Sequence, residues 1–139
     1  MNYKNRKRAY YAHCMKIYDT EEEKTVLNFL KKHFNVICPN NDIGKLEPFS
    51  RYLNIVRWAD IVIVSEYGGY LTAGVFAEAK YALENNIPVF LIHPSNHEFS
   101  LIKVVKVNQR GERLNDVQYG SVETIYDKEG STLLQGING

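Results

Sequence analysis

Two glutamates, Glu66 and Glu78, flank a glycine-containing loop where a carboxylate could meet a ligand. Glu66 comes just after a β-branched run at residues 61–64, which predicts a strand, and Glu78 lies on the helical stretch that follows. Helical spacing places Glu78 on a stripe of small and apolar residues with Gly74, away from the charged face. A carboxylate there borders the sheet and the edge where ligands bind. It either reacts with a ligand or pairs structurally with a Lys or Tyr.

Three histidines recur near the same predicted edge. His13 ends the first strand, His93 ends the fourth, and His97 follows it. His13 can supply a proton-transfer group, because an unperturbed histidine titrates near neutral pH; a loop histidine without a role is the alternative. The spacing of these histidines and of Cys14 and Cys38 matches no metal-ligand motif. The sequence therefore predicts neither a metal nor a cofactor.

The loop at residues 65–72 combines glycines with tyrosines. Gly68 and Gly69 let a ligand approach the backbone closely, although no Walker or dinucleotide-binding glycine pattern is present. Tyr67 and its aromatic neighbours either stack on a nucleobase or serve as packing residues, and both alternatives stay open. The predicted substrate-binding residues belong to this loop and to the start of the next helix: Glu66, Tyr67, Gly68, Gly69, Thr72 and Gly74.

Short apolar runs alternate with helical stretches up to about residue 94. This alternation predicts an α/β fold, a three-layer Rossmann- or flavodoxin-like parallel sheet with helices on both faces. Right-handed crossovers place the strand-to-helix loops at one edge of such a sheet, where ligands bind. The predicted elements are, in order, strand 9–14, a helix opened by a Thr20–Glu23 capping box, strand 35–38, helix 48–59, strand 61–65, helix 71–85 and strand 88–93.

The last third of the chain alternates between apolar and polar residues instead. Residues 101–107 and 122–126 each predict a strand, and residues 128–130 predict a turn. We therefore expect residues 95–139 to add a C-terminal strand and a hairpin or extended arm to the parallel sheet.

The composition is that of an ordinary soluble domain. The 139 residues are 45% hydrophobic and 24% charged, with a formal net charge of +1. We expect a single domain over residues 1–139, with its core at 9–94, and no nucleic-acid partner. No apolar stretch reaches the length of a membrane span, and two cysteines without a ligand pattern fit a reducing compartment. The sequence thus predicts a cytoplasmic protein without a membrane partner.

Three segments share a pattern with a known enzyme family. Residues 9–13 read Ala-Tyr-Tyr-Ala-His, residues 55–64 lead through Ala-Asp into the apolar run, and residues 74–89 place Gly, Glu, Ala and Ile-Pro-Val in succession. These segments resemble the opening strand, the helix-to-strand passage and the Gly-Thr-x-x-Glu-x-x-x-Ala…Gly-Lys-Pro-Val segment of the nucleoside 2-deoxyribosyltransferase superfamily, which includes nucleotide N-hydrolases. The resemblance covers residues 9–93.

The resemblance implies a reaction for Glu78. In that family the matching glutamate attacks the anomeric carbon of a nucleoside, expels the base and forms a glycosyl-enzyme ester, which water or a second base resolves. Tyr10 matches the tyrosine that orients this carboxylate, and Glu66 falls near an acidic position at the strand tip. Because Glu78 lies near a helix N-terminus, we expect it to be ionised. The family also implies a homo-oligomer that binds a small-molecule nucleoside or nucleotide.

Four positions depart from the family pattern. Thr72 stands where the transferases carry an aspartate, and Val75 stands where a threonine follows the glycine. His13 and Cys14 replace the usual glycine and proline after the first strand. A threonine cannot protonate the departing base, so His13 is the candidate for that task. Three hypotheses follow: an N-glycosidic hydrolase or transferase, a catalytically weak module that binds or senses a nucleotide-like ligand, and a purely structural domain. The catalytic residues of the first would be Glu78, Tyr10 and His13.

Overall fold

The computed structural model describes residues 6–44, 47–69, 71–107, 124–130 and 133–134. Strands and helices alternate through most of these ranges, and two long strands follow. The elements are β1 (Arg8–Ala12), a 3₁₀ turn (Met15–Ile17), α1 (Glu21–Lys31), β2 (Asn35–Ile37), α2 (Pro39–Asp42), α3 (Phe49–Trp58), β3 (Ile61–Val64), α4 (Ala73–Glu84), β4 (Val89–Ile92), β5 (Phe99–Val107) and β6 (Thr124–Gly130).

The strands form one mixed sheet in the order β2-β1-β3-β4-β5-β6. The first four strands in this order are parallel, whereas β5 and β6 are antiparallel to their neighbours. The α/β class is confirmed, and the expectation of a parallel sheet is corrected to a mixed one. The physical reason is the connection at residues 93–98, which is too short for a helical crossover and therefore turns the chain back beside β4.

The strands β5 and β6 occupy part of the region for which an extension was expected. β5 pairs with β4 from Phe99 to Ile102 and continues beyond it to Val107, paired along its length with β6. The turn expected at residues 128–130 is wrong, because these residues belong to β6 and pair with residues 100–102.

Alternate residues of the parallel strands are buried on opposite faces of the sheet. On one face, Tyr10 and Val62 pack with Val75 of α4 in a cluster that also contains residues of α3. On the other face, Tyr11 packs with Leu30 of α1. Because both faces of these strands are buried, neither face carries polar residues, and this explains the continuous apolar runs in the sequence.

Helices α3 and α4 begin at the edge of the sheet where β1, β3 and β4 end, which we term the carboxyl edge. The bounds of α4, Ala73–Glu84, fall inside the expected 71–85, and the small residues Ala79 and Ala82 are buried in its interface with the sheet. The sequence missed the short helix α2, whose Pro39 occupies the first turn. No helix in the described ranges is both long enough and apolar enough to cross a membrane.

Helix α1 begins with half of the expected capping box. Thr20 Oγ1 accepts the backbone N–H of Glu23 at 3.2 Å, as predicted. The carboxylate of Glu23 does not return to Thr20; its Oε1 accepts the N–H of Asp19 at 3.1 Å, and its Oε2 lies 2.6 Å from His13 Nε2. The glutamate half of the box is therefore wrong, because a buried histidine competes for the carboxylate.

Removing the Thr20 cap leaves an amide of the first turn without its partner. We expect Thr20→Ala to lower the free energy of unfolding by about 1 kcal/mol. Thr25→Ala is the matched control, since Thr25 is exposed inside the same helix and alanine has the higher helix propensity. Urea denaturation of both variants checks this, and equal stabilities would contradict the cap.

Candidate active site

The strand β1 and the helix α4 bring Tyr10 and Glu78 together under the carboxyl edge. Tyr10 is the central residue of β1 and points to the face covered by α4, while Glu78 points from α4 back to the sheet. The phenol of Tyr10 donates a hydrogen bond to Glu78 Oε2. Tyr10 is 0% exposed and Glu78 7% exposed, so the pair is shielded from bulk water. The structure thus joins the two residues that the resemblance had paired.

Burial controls the charge of Glu78. Desolvation raises the pKa of the Glu78 carboxyl to about 7, although the hydrogen bond from Tyr10 acts in the opposite direction. The expectation of a fully ionised carboxylate is therefore corrected. Glu78 lies in the second turn of α4, beyond the first turn where the helix dipole is effective. A carboxyl with a pKa near neutrality can act as a nucleophile or exchange a proton at physiological pH.

Open space adjoins the site on the helix. Gly74 lies one turn before Glu78 on the same face of α4, and a Cβ added at Gly74 would meet no atom within 4 Å. The second carboxylate oxygen of Glu78, Oε1, has no hydrogen-bond partner among the described residues. Thr72 is the buried N-cap residue of α4, and its carbonyl accepts the N–H of Phe76 at 2.7 Å. The side of Glu78 that faces Gly74 is therefore the side on which α4 leaves space.

Two further tyrosines interact electrostatically with the Tyr10–Glu78 pair. Burial raises the pKa of the half-buried Tyr18, and the charge of Glu78 adds to this. Tyr52, which raises the pKa of both Tyr10 and Tyr18, donates to the Gly44 carbonyl. The sequence analysis assigned neither Tyr18 nor Tyr52 to the site. The position of Tyr52 in the first turn of α3, at the carboxyl edge, was the signal that could have identified it.

The glycine loop at residues 65–69 lies at the same edge. Ser65 is buried and shares a hydrogen bond of 2.6 Å with the Tyr11 hydroxyl. Gly68 and Gly69 have φ values of 61° and 85°, and added Cβ atoms would meet nothing within 4 Å. The left-handed backbone favours glycine at both positions, and the space above them is open.

The two side chains that precede these glycines differ in exposure. Glu66 is half-buried at the strand tip, whereas 43% of Tyr67 is exposed. The ammonium group of Lys16 lies 5.6 Å from the centre of the Tyr67 ring. The exposed ring of Tyr67 at the carboxyl edge is compatible with either of the two roles expected for it, base stacking or packing. Tyr70 lies outside the described residues.

His13 belongs to the opposite face of the sheet. Its ring stacks on Tyr11 with centroids 4.1 Å apart, Nδ1 lies 3.0 Å from the Tyr11 carbonyl, and Nε2 lies 2.6 Å from Glu23 Oε2. Burial lowers the pKa of His13, and the contact with Glu23 opposes this. Because Tyr10 and Tyr11 point to opposite faces, the structure does not bring His13 to the Tyr10–Glu78 pair.

The other two histidines are also apart from the pair. His93 Nε2 lies 3.0 Å from Ser100 Oγ, and the His97 ring stacks on Phe29 at 4.5 Å.

A hollow of about 380 Å³ lies at the other end of the sheet. It contains no carboxylate or nucleophile and offers no comparable chemistry. Its lining residues are Lys31, Phe34, Asn35, Val36, Ile37 and Trp58.

No protein-family model, curated protein or solved structure matches the chain. The resemblance to the nucleoside 2-deoxyribosyltransferase superfamily therefore depends on the residues quoted above. The chemistry of the site is interpreted from its own geometry, above all from the buried bond between Tyr10 and Glu78.

The raised pKa of Glu78 makes the stability of the fold depend on pH. The folded state binds the proton with a pKa of about 7 against 4.5 for the unfolded chain, so the extra stability is complete below pH 4.5 and is lost as the pH rises through 7. We expect Glu78→Gln, which keeps a neutral side chain of the same shape, to stabilise the protein at pH 8 by about 3 kcal/mol.

Urea denaturation at pH 5 and pH 8 measures this effect. The control is Glu84→Gln, at an exposed glutamate of the same helix whose carboxylate is 3.9 Å from Lys80 Nζ. A Glu78→Gln variant that loses stability between the two pH values as steeply as the unsubstituted protein would contradict the assignment.

Proposed function

We propose that the protein is an N-glycosidic hydrolase or 2-deoxyribosyltransferase that acts on a nucleoside or nucleotide, with Glu78 as the nucleophile. The buried hydrogen bond from the Tyr10 phenol to Glu78 Oε2 carries the proposal. It supports the proposal because it holds one carboxylate oxygen in place, while Oε1 stays unpartnered among the described residues. Gly74, one helical turn before Glu78, leaves open space on the same face of α4.

The proposed reaction has two displacements. Oε1 of ionised Glu78 forms a bond to the anomeric carbon while the bond from that carbon to the base nitrogen breaks, and the electron pair leaves with the base. Water or a second base then attacks the same carbon and releases the carboxylate. Tyr10 is a positioning residue that keeps the carboxylate plane aligned and stabilises its charge through one hydrogen bond.

The departing base either receives a proton from an acid or leaves unprotonated, and the second route requires a base that is a good leaving group. Thr72 cannot provide a proton at neutral pH, and His13 faces the other side of the sheet. Glu66, half-buried at the tip of β3, is the remaining acid at the carboxyl edge among the predicted residues. The proposal therefore favours substrates whose base leaves readily, such as a cationic pyridinium-type nucleoside, over unactivated purine nucleosides.

The broader expectations belong to the same proposal. We assign the chain to the nucleoside 2-deoxyribosyltransferase-like superfamily and its fold to a three-layer Rossmann- or flavodoxin-like arrangement. We also propose that the protein is cytoplasmic and forms a homo-oligomer. The order β2-β1-β3-β4-β5 supports the fold assignment, because it repeats the strand order of flavodoxin-like sheets. The location and the oligomer rest on the composition and on the resemblance.

A second candidate function is ligand binding without turnover. Thr72 in place of the transferase aspartate favours it, as does the raised pKa of Glu78, because a protonated carboxyl can donate a hydrogen bond to a ligand. In this case the pocket would bind or sense a nucleotide-like molecule.

Release of free base distinguishes the two candidates. The protein is incubated with a panel of purine, pyrimidine and pyridinium nucleosides and their 5′-phosphates, and the free base is quantified by chromatography. We expect Glu78→Ala and Glu78→Gln to lower the rate by 100-fold or more, on the order of the loss of a nucleophile. Glu84→Gln serves as the matched control and should keep full activity.

Three outcomes are informative. Equal release by Glu78→Ala and the unsubstituted protein would dispose of the glycosidic mechanism. Binding of one panel member, seen by calorimetry without release of base, supports the sensing function. Absence of both binding and release over the whole panel contradicts both candidates.

The nucleophile has to be ionised, so activity should depend on pH. We expect kcat/KM of the free enzyme to rise with pH and to level off above about 7, the pKa of Glu78. Tyr10→Phe removes the hydrogen bond that lowers this pKa, so the midpoint should move to higher pH and the rate at pH 7 should fall about tenfold.

The control for this profile is Tyr81→Phe, at a half-buried tyrosine of α4. A Tyr10→Phe variant that loses rate equally at every pH, with an unmoved midpoint, would show that Tyr10 contributes to folding alone.

A further inference from the structure

A second polar cluster lies on the face of the sheet that carries α1. His13 follows β1, Glu23 belongs to the first turn of α1, and Cys38 lies between β2 and α2. One ligand atom from each of the three side chains, an imidazole nitrogen, a carboxylate oxygen and a thiol sulfur, lies within 4.8 Å of the other two. All three residues are buried, at 4%, 4% and 2% exposure. Their separation along the chain is why no spacing motif revealed them.

We propose that His13, Glu23 and Cys38 bind a divalent metal ion, for which Zn²⁺ is the best chemical match. A nitrogen, an oxygen and a sulfur donor together suit a cation of borderline softness, and each is a common ligand of Zn²⁺. Asn40 Oδ1, which lies 3.0 Å from Cys38 Sγ, can supply the fourth donor. This inference is independent of the proposed function of Glu78.

The surroundings of His13 support the assignment. Nδ1 faces the Tyr11 carbonyl at 3.0 Å and Nε2 faces Glu23 Oε2 at 2.6 Å, so both ring nitrogens point at acceptors. A neutral imidazole carries one proton, which satisfies one of these contacts. The other contact needs a second proton, on the imidazole or on the Glu23 carboxyl, or a metal ion between Nε2 and Oε2. A histidine that donates its other N–H to a backbone carbonyl is also the usual arrangement around protein-bound zinc.

The charges of the proposed site balance. Binding transfers the thiol proton of Cys38 to solvent, which leaves one thiolate and one carboxylate around the doubly charged cation. The buried assembly is then neutral overall, and this limits the desolvation penalty of its charges. Zinc bonds of about 2.0 to 2.3 Å require the longest of the three separations to shorten by about 1 Å and the contact between His13 and Glu23 to lengthen slightly. Side-chain rotations of this size need no change in the strands.

A nucleophilic Cys–His pair fits the geometry less well. Both nitrogens of His13 are engaged by other groups, and the Cys38 thiol donates to Asn40 Oδ1 rather than contacting the imidazole. A substrate would also have to reach the sulfur of a residue that is only 2% exposed.

Cobalt titration of the metal-free full-length protein tests the proposal. Co²⁺ in a zinc site with a thiolate ligand gives a sulfur-to-metal charge-transfer band in the near ultraviolet and intense visible bands. We expect a stoichiometry of one, displacement by Zn²⁺, and complete loss of the charge-transfer band in Cys38→Ser. Cys14→Ser is the matched control, because Cys14 is the other buried free cysteine and is not part of the cluster.

Glu23→Gln keeps the shape of the side chain and provides a second test if Cys38→Ser does not fold. We expect it to weaken Co²⁺ affinity at least tenfold, with the circular dichroism spectrum unchanged. Absence of a thiolate band in the unsubstituted protein would overturn the proposal. It would also be overturned by a band that persists in Cys38→Ser or disappears in Cys14→Ser, or by equal affinity in Glu23→Gln.

Discussion

The bond between Tyr10 and Glu78 is the constraint on which the candidate active site depends. A carboxyl that is almost fully removed from water is unfavourable when charged, and a single phenol only partly compensates for this. The packing of α4 against the sheet, through small residues such as Ala79 and Ala82, holds the carboxyl in this position. The fold thus accepts a destabilising group that a structural role alone would not require, and this is typical of functional sites.

The sheet separates two clusters of polar side chains, one on each face. Tyr10 and Glu78 lie on the face that carries α3 and α4, while His13 and Glu23 lie on the face that carries α1. Tyr18 connects the two, since its ring meets His13 edge-on at 5.1 Å and its pKa is raised in part by Glu78.

The sequence predicted those features that depend on local pattern. The strand β3 was found from its β-branched run, α4 from its small and apolar stripe, and the pairing of Tyr10 with Glu78 from the family resemblance. These predictions succeeded because each depends on neighbouring residues or on a known motif.

Features that depend on contacts between distant segments, and that no known motif contains, were not predicted. The direction of β5 follows from a short connection rather than from its own pattern. The charge of Glu78 depends on how closely the sheet covers it, and the grouping of His13 with Glu23 and Cys38 depends on three separate elements converging. Periodicity and spacing carry no information on such convergence.

The reversal of the chain at β5 has a practical consequence for handling the molecule. β5 runs away from the carboxyl edge, passes the start of β4 at Val89 and ends at Val107, which pairs with Thr124 where β6 begins. Both of these strand ends lie at the edge of the sheet opposite to the carboxyl edge. An attachment to a sensor surface placed at these strand ends therefore leaves the carboxyl edge facing the solution, so that binding there is measured without steric interference from the attachment.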